Sequence, residues 1–313
     1  MLKKILPVFW RALITASAFW WIFRMVDLSG LRRALGSADR VWLLVALGSF
    51  FLTQLGCISR WKLLVPAHPA LRWRFLANSY FVGSFFNTVL PTTVGGDVVR
   101  SYDLIKATGQ WREPLASILI DRLVGMTTLA VLAFLAWTAF APARQDPVLN
   151  AGFFGFLLVV LATFGVLGSR RVLHATLKPF GKIGLGQLQS HAKQFQESLL
   201  AYFQRPKVLL KALALSISIQ IIGIGTVAAA ARALHLPAPF LFFFLVTPMI
   251  VTVSQLPISL SGWGVREGAT ILLMKRIGIG PTEALSLSLI CATIPILFGM
   301  IGGILFLARK RRR

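Results

Sequence analysis

Seven charged side chains stand where an apolar chain has least use for them: Asp97, Arg100, Asp103, Asp121, Arg122, Arg266 and Glu267 lie inside hydrophobic stretches. A charge at bilayer depth costs about 2.5–3.5 kcal/mol on insertion scales, so the set asks for a use beyond packing. Arginines beside helix starts can hold an anion such as a lipid phosphate. Carboxylates in such a place could instead act as acid or base. The plainer account is mutual neutralisation. Arg100 has Asp97 and Asp103 three residues away on either side, about one helical turn, whereas Asp121 and Arg122 would need partners across a bundle.

The arginines belong to a motif that occurs twice. Leu90-Pro91-Thr92-Thr93-Val94-Gly95-Gly96-Asp97-Val98-Val99-Arg100 returns, at an offset of 166 and without a gap, as Leu256-Pro257-Ile258-Ser259-Leu260-Ser261-Gly262-Trp263-Gly264-Val265-Arg266, with five of eleven positions identical. Proline removes a backbone donor and disfavours helix at the residue before it. Gly95 and Gly96, like Gly262 and Gly264, permit backbone that other residues resist, and a helix is expected to restart near Asp97 and, in the second copy, about one turn before Arg266. A helix that restarts inside a membrane turns unpaired N–H groups and partial positive charge toward the gap. Thr92, Thr93, Ser259 and Ser261 could hydrogen-bond a head group or cap the restarted helices. The candidate binding set is therefore Thr92, Thr93, Gly95, Gly96, Asp97, Arg100, Asp121, Arg122, Ser259, Ser261, Gly262, Gly264, Arg266 and Glu267.

The elements that must position this set are membrane helices. The 313 residues are 56% hydrophobic and 14% charged, with mean hydropathy +0.75, outside the range of soluble domains. Runs of about 20 apolar residues, enough for a hydrocarbon core of roughly 30 Å, predict six plain spans near 6–26, 41–60, 115–138, 148–168, 208–232 and 283–307. The motif-bearing regions 75–107 and 239–276 predict two broken or re-entrant elements. Each would enter and leave on the same side. The expected fold is one all-α polytopic membrane domain over 1–313. It contains repeat 1 (41–138), an amphipathic cytoplasmic connection (169–207) and repeat 2 (208–308).

Charge sets the orientation. With the N-terminus inside, 22 Lys and Arg fall on cytoplasmic segments, Arg60 and Arg100 among them, and eight outside. By the positive-inside rule both termini are cytoplasmic, in a bacterial-type inner membrane. Repeats 1 and 2 then run in opposite senses, the inverted-repeat plan of many transporters. Tryptophans near span ends, Trp61 included, fit interfacial anchoring. Hydrophobicity continues past the Ala16-Ser17-Ala18 stretch, which favours an uncleaved first span over a signal peptide.

Other chemistry finds little support. The formal charge of +23 comes from 33 Lys and Arg set mainly between apolar runs, a topology signal rather than a nucleic-acid patch, so no nucleic-acid partner is expected. Cys57 and Cys291 have no disulfide or metal spacing, the four histidines are scattered, and no metal or cofactor is expected. Leu188, Ala192, Phe195, Leu199 and Tyr202 recur at helical spacing beside basic residues, which predicts a helix lying on the cytoplasmic lipid surface, hinged by Gly181, Gly184 and Gly186.

Leu90 to Asp97, the Asp121-Arg122 pair opening the following span, and Gly262-Trp263-Gly264-Val265-Arg266-Glu267 together resemble the transmembrane, flippase-like region of the lysylphosphatidylglycerol synthase family, over about residues 10 to 308. In larger relatives this region precedes a cytoplasmic domain that transfers an amino acid from aminoacyl-tRNA to phosphatidylglycerol. The present sequence ends at Arg313, just after the last span, so the resemblance implies a stand-alone membrane region without aminoacyl transfer. Three functions are in view: a lipid flippase or transporter for an anionic phospholipid or lipid-linked phosphate, with no enzymatic activity of its own; a membrane enzyme acting on a lipid phosphate; and an accessory scaffold for a lipid-modifying enzyme.

Overall fold

The computed structural model describes residues 2–90, 95–168, 186–256 and 258–310. Among them every regular element is helical. In chain order these are α1 (Leu2–Met25), α2 (Leu28–Gly36), α3 (Arg40–Leu64), α4 (Trp73–Val89), α5 (Gly95–Thr108), α6 (Arg112–Ala139), α7 (Ala141–Gln145), α8 (Pro147–Gly168), α9 (Gly186–Phe203), α10 (Pro206–Ala233), α11 (Phe240–Gln255), α12 (Val265–Met274) and α13 (Pro281–Lys310). Five are long and apolar enough to cross a membrane: α3, α6, α8, α10 and α13. Helix α1 runs 24 residues, and Leu13–Ile22 is its described apolar part.

Helix starts follow local chemistry. Asp39 accepts the Val41 amide at 2.7 Å and opens α3, and Asp146 accepts the Val148 and Leu149 amides and opens α8. Aspartate at an N-cap satisfies donors the helix cannot. Proline begins α8, α10 and α13, where its missing N–H is no loss. Pro248 in α11 and Pro295 in α13 sit within helices, a placement membrane helices tolerate when neighbours support the freed backbone.

The two motif regions fold as helical hairpins, α4 with α5 and α11 with α12. In the first, Gly83 and Gly96 face each other so closely that a Cβ on Gly96 would lie 2.4 Å from the Gly83 carbonyl oxygen, while Gly95 approaches Phe86. Pairing that runs backward along one arm as it runs forward along the other means antiparallel packing. In the second hairpin, Gly262 folds back on Ser254 in the same way. The arms are short, 17 and 14 residues in the first and 16 and 10 in the second. Shifting α3, α4, α5 and α6 by 166 places them on 206–230, 239–255, 261–274 and 278–305, within a few residues of α10, α11, α12 and α13. Helix α3 lies along α10, while α4 packs against α13 and α11 against α6, so each hairpin leans on the closing helix of the other set.

The amphipathic helix α9 differs from expectation. Its apolar face rests on protein: Leu199 and Tyr202 are buried with Leu64, Ala116, Ile120 and Ala212, and Phe195 packs beside them. The Tyr202 hydroxyl donates to the Leu64 carbonyl at 2.7 Å. Burial, reinforced by the Glu113 charge, pushes that phenol up to about 12, so it keeps its proton at neutral pH. The end of α3 offers a carbonyl and an apolar shelf, and the described part of the apolar face of α9 takes both. The side chains of Leu188 and Ala192, and all of Gly181 and Gly184, lie outside the described residues.

Candidate functional site

The hairpin tips meet. Ser261, at the tip of the second, donates its hydroxyl to the carbonyl of Leu90, at the tip of the first, at 2.9 Å. Backbone at the second tip is unusual: Ser261, Gly262 and Gly264 all have positive φ, at 50°, 79° and 81°. Only glycine takes such values freely, which accounts for Gly262 and Gly264. Gly95 and Gly96 are different. They lie in the first turn of α5 without positive φ, and close approach to α4 is what requires them. Helix α1 braces the second tip, with Thr15 Oγ1 accepting the Leu260 amide at 3.0 Å and Phe19 against Trp263 at 6.4 Å between ring centroids.

Beside the tips lies a cavity of about 540 Å³. One part of its wall is charged, with Arg60, Asp97, Arg100, Asp121, Arg122 and Arg266; another is apolar, with Phe50, Phe243, Val246, Leu287 and Ile294. Four guanidiniums thus face two carboxylates. Glu267 stands behind Arg266 and brings the charged groups of this cluster to four positive and three negative.

Most of these ion pairs cross between elements. Asp121 on α6 accepts Arg60 Nε from α3 at 2.7 Å and lies 3.6 Å from Arg100 Nη2 on α5. Asp97 faces Arg100 Nη1 at 3.4 Å and pairs with Arg122 of α6. Arg122 also reaches Gln255 at the end of α11, at 3.0 Å, and Arg60 donates to Ser216 of α10 at 2.7 Å. Arg60, Arg100, Asp97 and Asp121 are 9% exposed or less. The Arg100 guanidinium lies 4.0 Å over the Trp61 ring and 4.8 Å over that of Tyr80, a cation–π contact worth about 2 kcal/mol or more when desolvated.

The second motif carries its own counterion. Both Arg266 Nε and Nη2 donate to Glu267 Oε1, while Glu267 Oε2 accepts the Gly264 amide at 2.6 Å and Ser288 approaches at 3.4 Å. Glu267 is fully buried. In the first motif Asn87 Oδ1 accepts the Gly96 amide at 2.6 Å. Side chains of the protein therefore already occupy an amide donor at each restarted helix. What faces the cavity is guanidinium rather than helix end.

Of the residues singled out from the sequence, Asp97, Arg100, Asp121, Arg122 and Arg266 converge on the cavity, with Glu267 behind them. Gly95, Gly96, Ser259, Ser261, Gly262 and Gly264 shape the hairpins but are not cavity walls; the Ser259 hydroxyl is buried without a hydrogen-bond partner among the described residues. Thr92 and Thr93 lie outside the described residues. Asp103 pairs elsewhere, with Arg309 of α13 at 2.8 Å. Arg60, Trp61, Tyr80, Asn87 and Gln255 are site residues that sequence reasoning did not single out. Arg60 and Arg100 count as cytoplasmic charges in the topology tally, yet both are buried, and Trp61 is fully buried beneath Arg100 rather than at an interface. Removing the two arginines leaves the inside excess intact.

Hairpins joined tip to tip beside a charged cavity, in a bundle with five membrane-length helices, define an all-α polytopic membrane protein with an internal polar site. Residues 8–303 match the family described as the lysylphosphatidylglycerol synthase TM region, and the chain belongs to that family. Its setting is therefore membrane lipid metabolism. No curated protein and no solved structure matches the chain.

Proposed function

We propose that this protein binds an anionic phospholipid or lipid-linked phosphate in the tip cavity and carries it between the leaflets of a bacterial-type inner membrane, both termini being cytoplasmic. The observation that carries this reading is the cavity wall: four arginines against two carboxylates on one part, aromatic and aliphatic side chains on another. A lipid presents the same two chemistries, a charged head and an apolar tail. We further read the two hairpins as halves of an inverted repeat, supported by the matching helix bounds and by each hairpin's contact with the other set's closing helix. Transport suits the site better than acid–base catalysis, because Asp97, Asp121 and Glu267 are each held by arginine.

Purified protein in liposomes should accelerate leaflet exchange of a fluorescent anionic lipid. Arg100→Ala and Arg266→Ala should each lower the rate at least about tenfold, equivalent to about 1.4 kcal/mol. Unchanged exchange in both variants would overturn the roles given to these residues.

A further inference from the structure

We propose that a second cleft, which shares no lining residue with the tip cavity, binds a small zwitterion carrying an ammonium and a carboxylate, the chemistry of a free amino acid. The cleft lies along α9, where the end of α3 meets the starts of α6 and α10. Its volume is about 250 Å³, and Pro66, Arg112, Glu113, Glu197, Tyr202 and Arg205 stand around it. Carboxylates are scarce in this chain, ten against 33 Lys and Arg, and most are used. Asp27, Asp39 and Asp146 accept amides at helix starts. Asp97, Asp103, Asp121 and Glu267 pair with arginine. Glu113, Glu197 and Glu283 have neither kind of partner among the described residues, and two of these three share the cleft.

Two guanidiniums share it as well. Arg112 lies 5.7 Å over the Trp111 ring, but neither Arg112 nor Arg205 has an ion pair among the described residues. Both signs therefore line one cleft without closing on each other. Glu113 and Arg205 both act electrostatically on the buried phenol of Tyr202, which places a carboxylate and a guanidinium about the same ring. The four charges sum to zero. A ligand of one sign would be repelled by half of them, whereas a zwitterion can set its carboxylate on guanidinium and its ammonium on carboxylate. Size and lining favour a free solute over a lipid. The volume is below the about 300–1,000 Å³ of sites for drug-sized ligands, and beyond Pro66, Ala201 and the Tyr202 ring the wall is polar, with no apolar seat for an acyl chain. All four charged residues are exposed, so a solute reaches them from water, on the cytoplasmic side in the topology proposed above.

Isothermal titration calorimetry of the detergent-purified protein with each of the twenty common amino acids should find at least one that binds with a Kd of about 1 mM or tighter. Its N-acetyl and carboxamide derivatives each lack one of the two charges and should bind at least about tenfold more weakly. Glu197→Gln and Arg205→Gln should each weaken the parent amino acid to a similar degree, while Glu283→Gln, which removes an unpartnered carboxylate outside the cleft, should leave it unchanged. Equal binding of the blocked derivatives would overturn the zwitterion, and unchanged binding in either folded cleft variant would overturn the cleft. No binding by any amino acid at about 10 mM would overturn the proposal, and glycerophosphoethanolamine binding in their place would assign the cleft to a lipid head group instead.

Discussion

Asp121 is a single carboxylate answering two arginines. It takes Arg60 Nε at 2.7 Å and lies near Arg100, so its loss leaves the buried Arg60 without its carboxylate partner and Arg100 with Asp97 alone. Breaking a buried pair from one side typically costs about 3–5 kcal/mol, whereas replacing both partners with apolar groups is often near neutral. Asp121→Asn should therefore lower the thermal midpoint of the purified protein sharply, and Arg60→Met combined with Asp121→Leu should recover most of the loss. An equal loss in both would mean that Asp121 does not hold Arg60. The sequence made Asp121 conspicuous because no basic residue stands three or four positions away on its own helix. Its partner was hidden because Arg60 sits four residues before the end of α3, where a run of apolar residues gives out and a basic residue ordinarily signals topology. Tryptophan beside it strengthened the same misreading. A stacked guanidinium and an interfacial anchor use the same two residue types.

Helices α4 and α13 approach through glycine. A Cβ on Gly302 would fall 1.9 Å from the Phe81 carbonyl oxygen, and one on Gly299 would fall 2.8 Å from the Thr88 hydroxyl. Small residues at a helix crossing let backbones approach in a membrane, where burial of apolar surface gives no drive. Arg309 fastens the far end of the pair by reaching Asp103 and Asn78. Gly302→Ala must push backbone from backbone and should destabilise by about 1–3 kcal/mol. Gly155→Ala meets open space and should be neutral or slightly stabilising, since alanine favours helix. Denaturation midpoints of the two variants settle the contrast; an unaffected Gly302→Ala would refute the crossing. Hairpin arms and spans were legible because proline, glycine and apolar run length act locally. The seat of α9 was not. A stripe of apolar residues is the same whether lipid or protein covers it, and only the shelf at the end of α3 decides.

For the whole molecule, the contact between tips is the joint on which movement of a lipid would turn. If transport requires the hairpins to part, a disulfide between cysteines placed at Leu90 and Ser261, with Cys57 and Cys291 changed to alanine, should stop leaflet exchange, and reduction should restore it. Exchange that proceeds through the cross-link would show that the tips stay together. The duplicated motif foretold two similar hairpins, but their inequality needed coordinates. The second neutralises its arginine with the adjacent Glu267, while the first shares Asp97 with α6. That difference bears on how the protein is made. Arg60 is synthesised 61 residues ahead of the carboxylate that neutralises it. Until α6 enters the bilayer, the arginine is unpaired and, close to the end of its helix, can keep its head at the water surface. The buried place of Arg60 is therefore completed only once α6 has been made, and the charge balance of the site depends on the order in which its helices are synthesised.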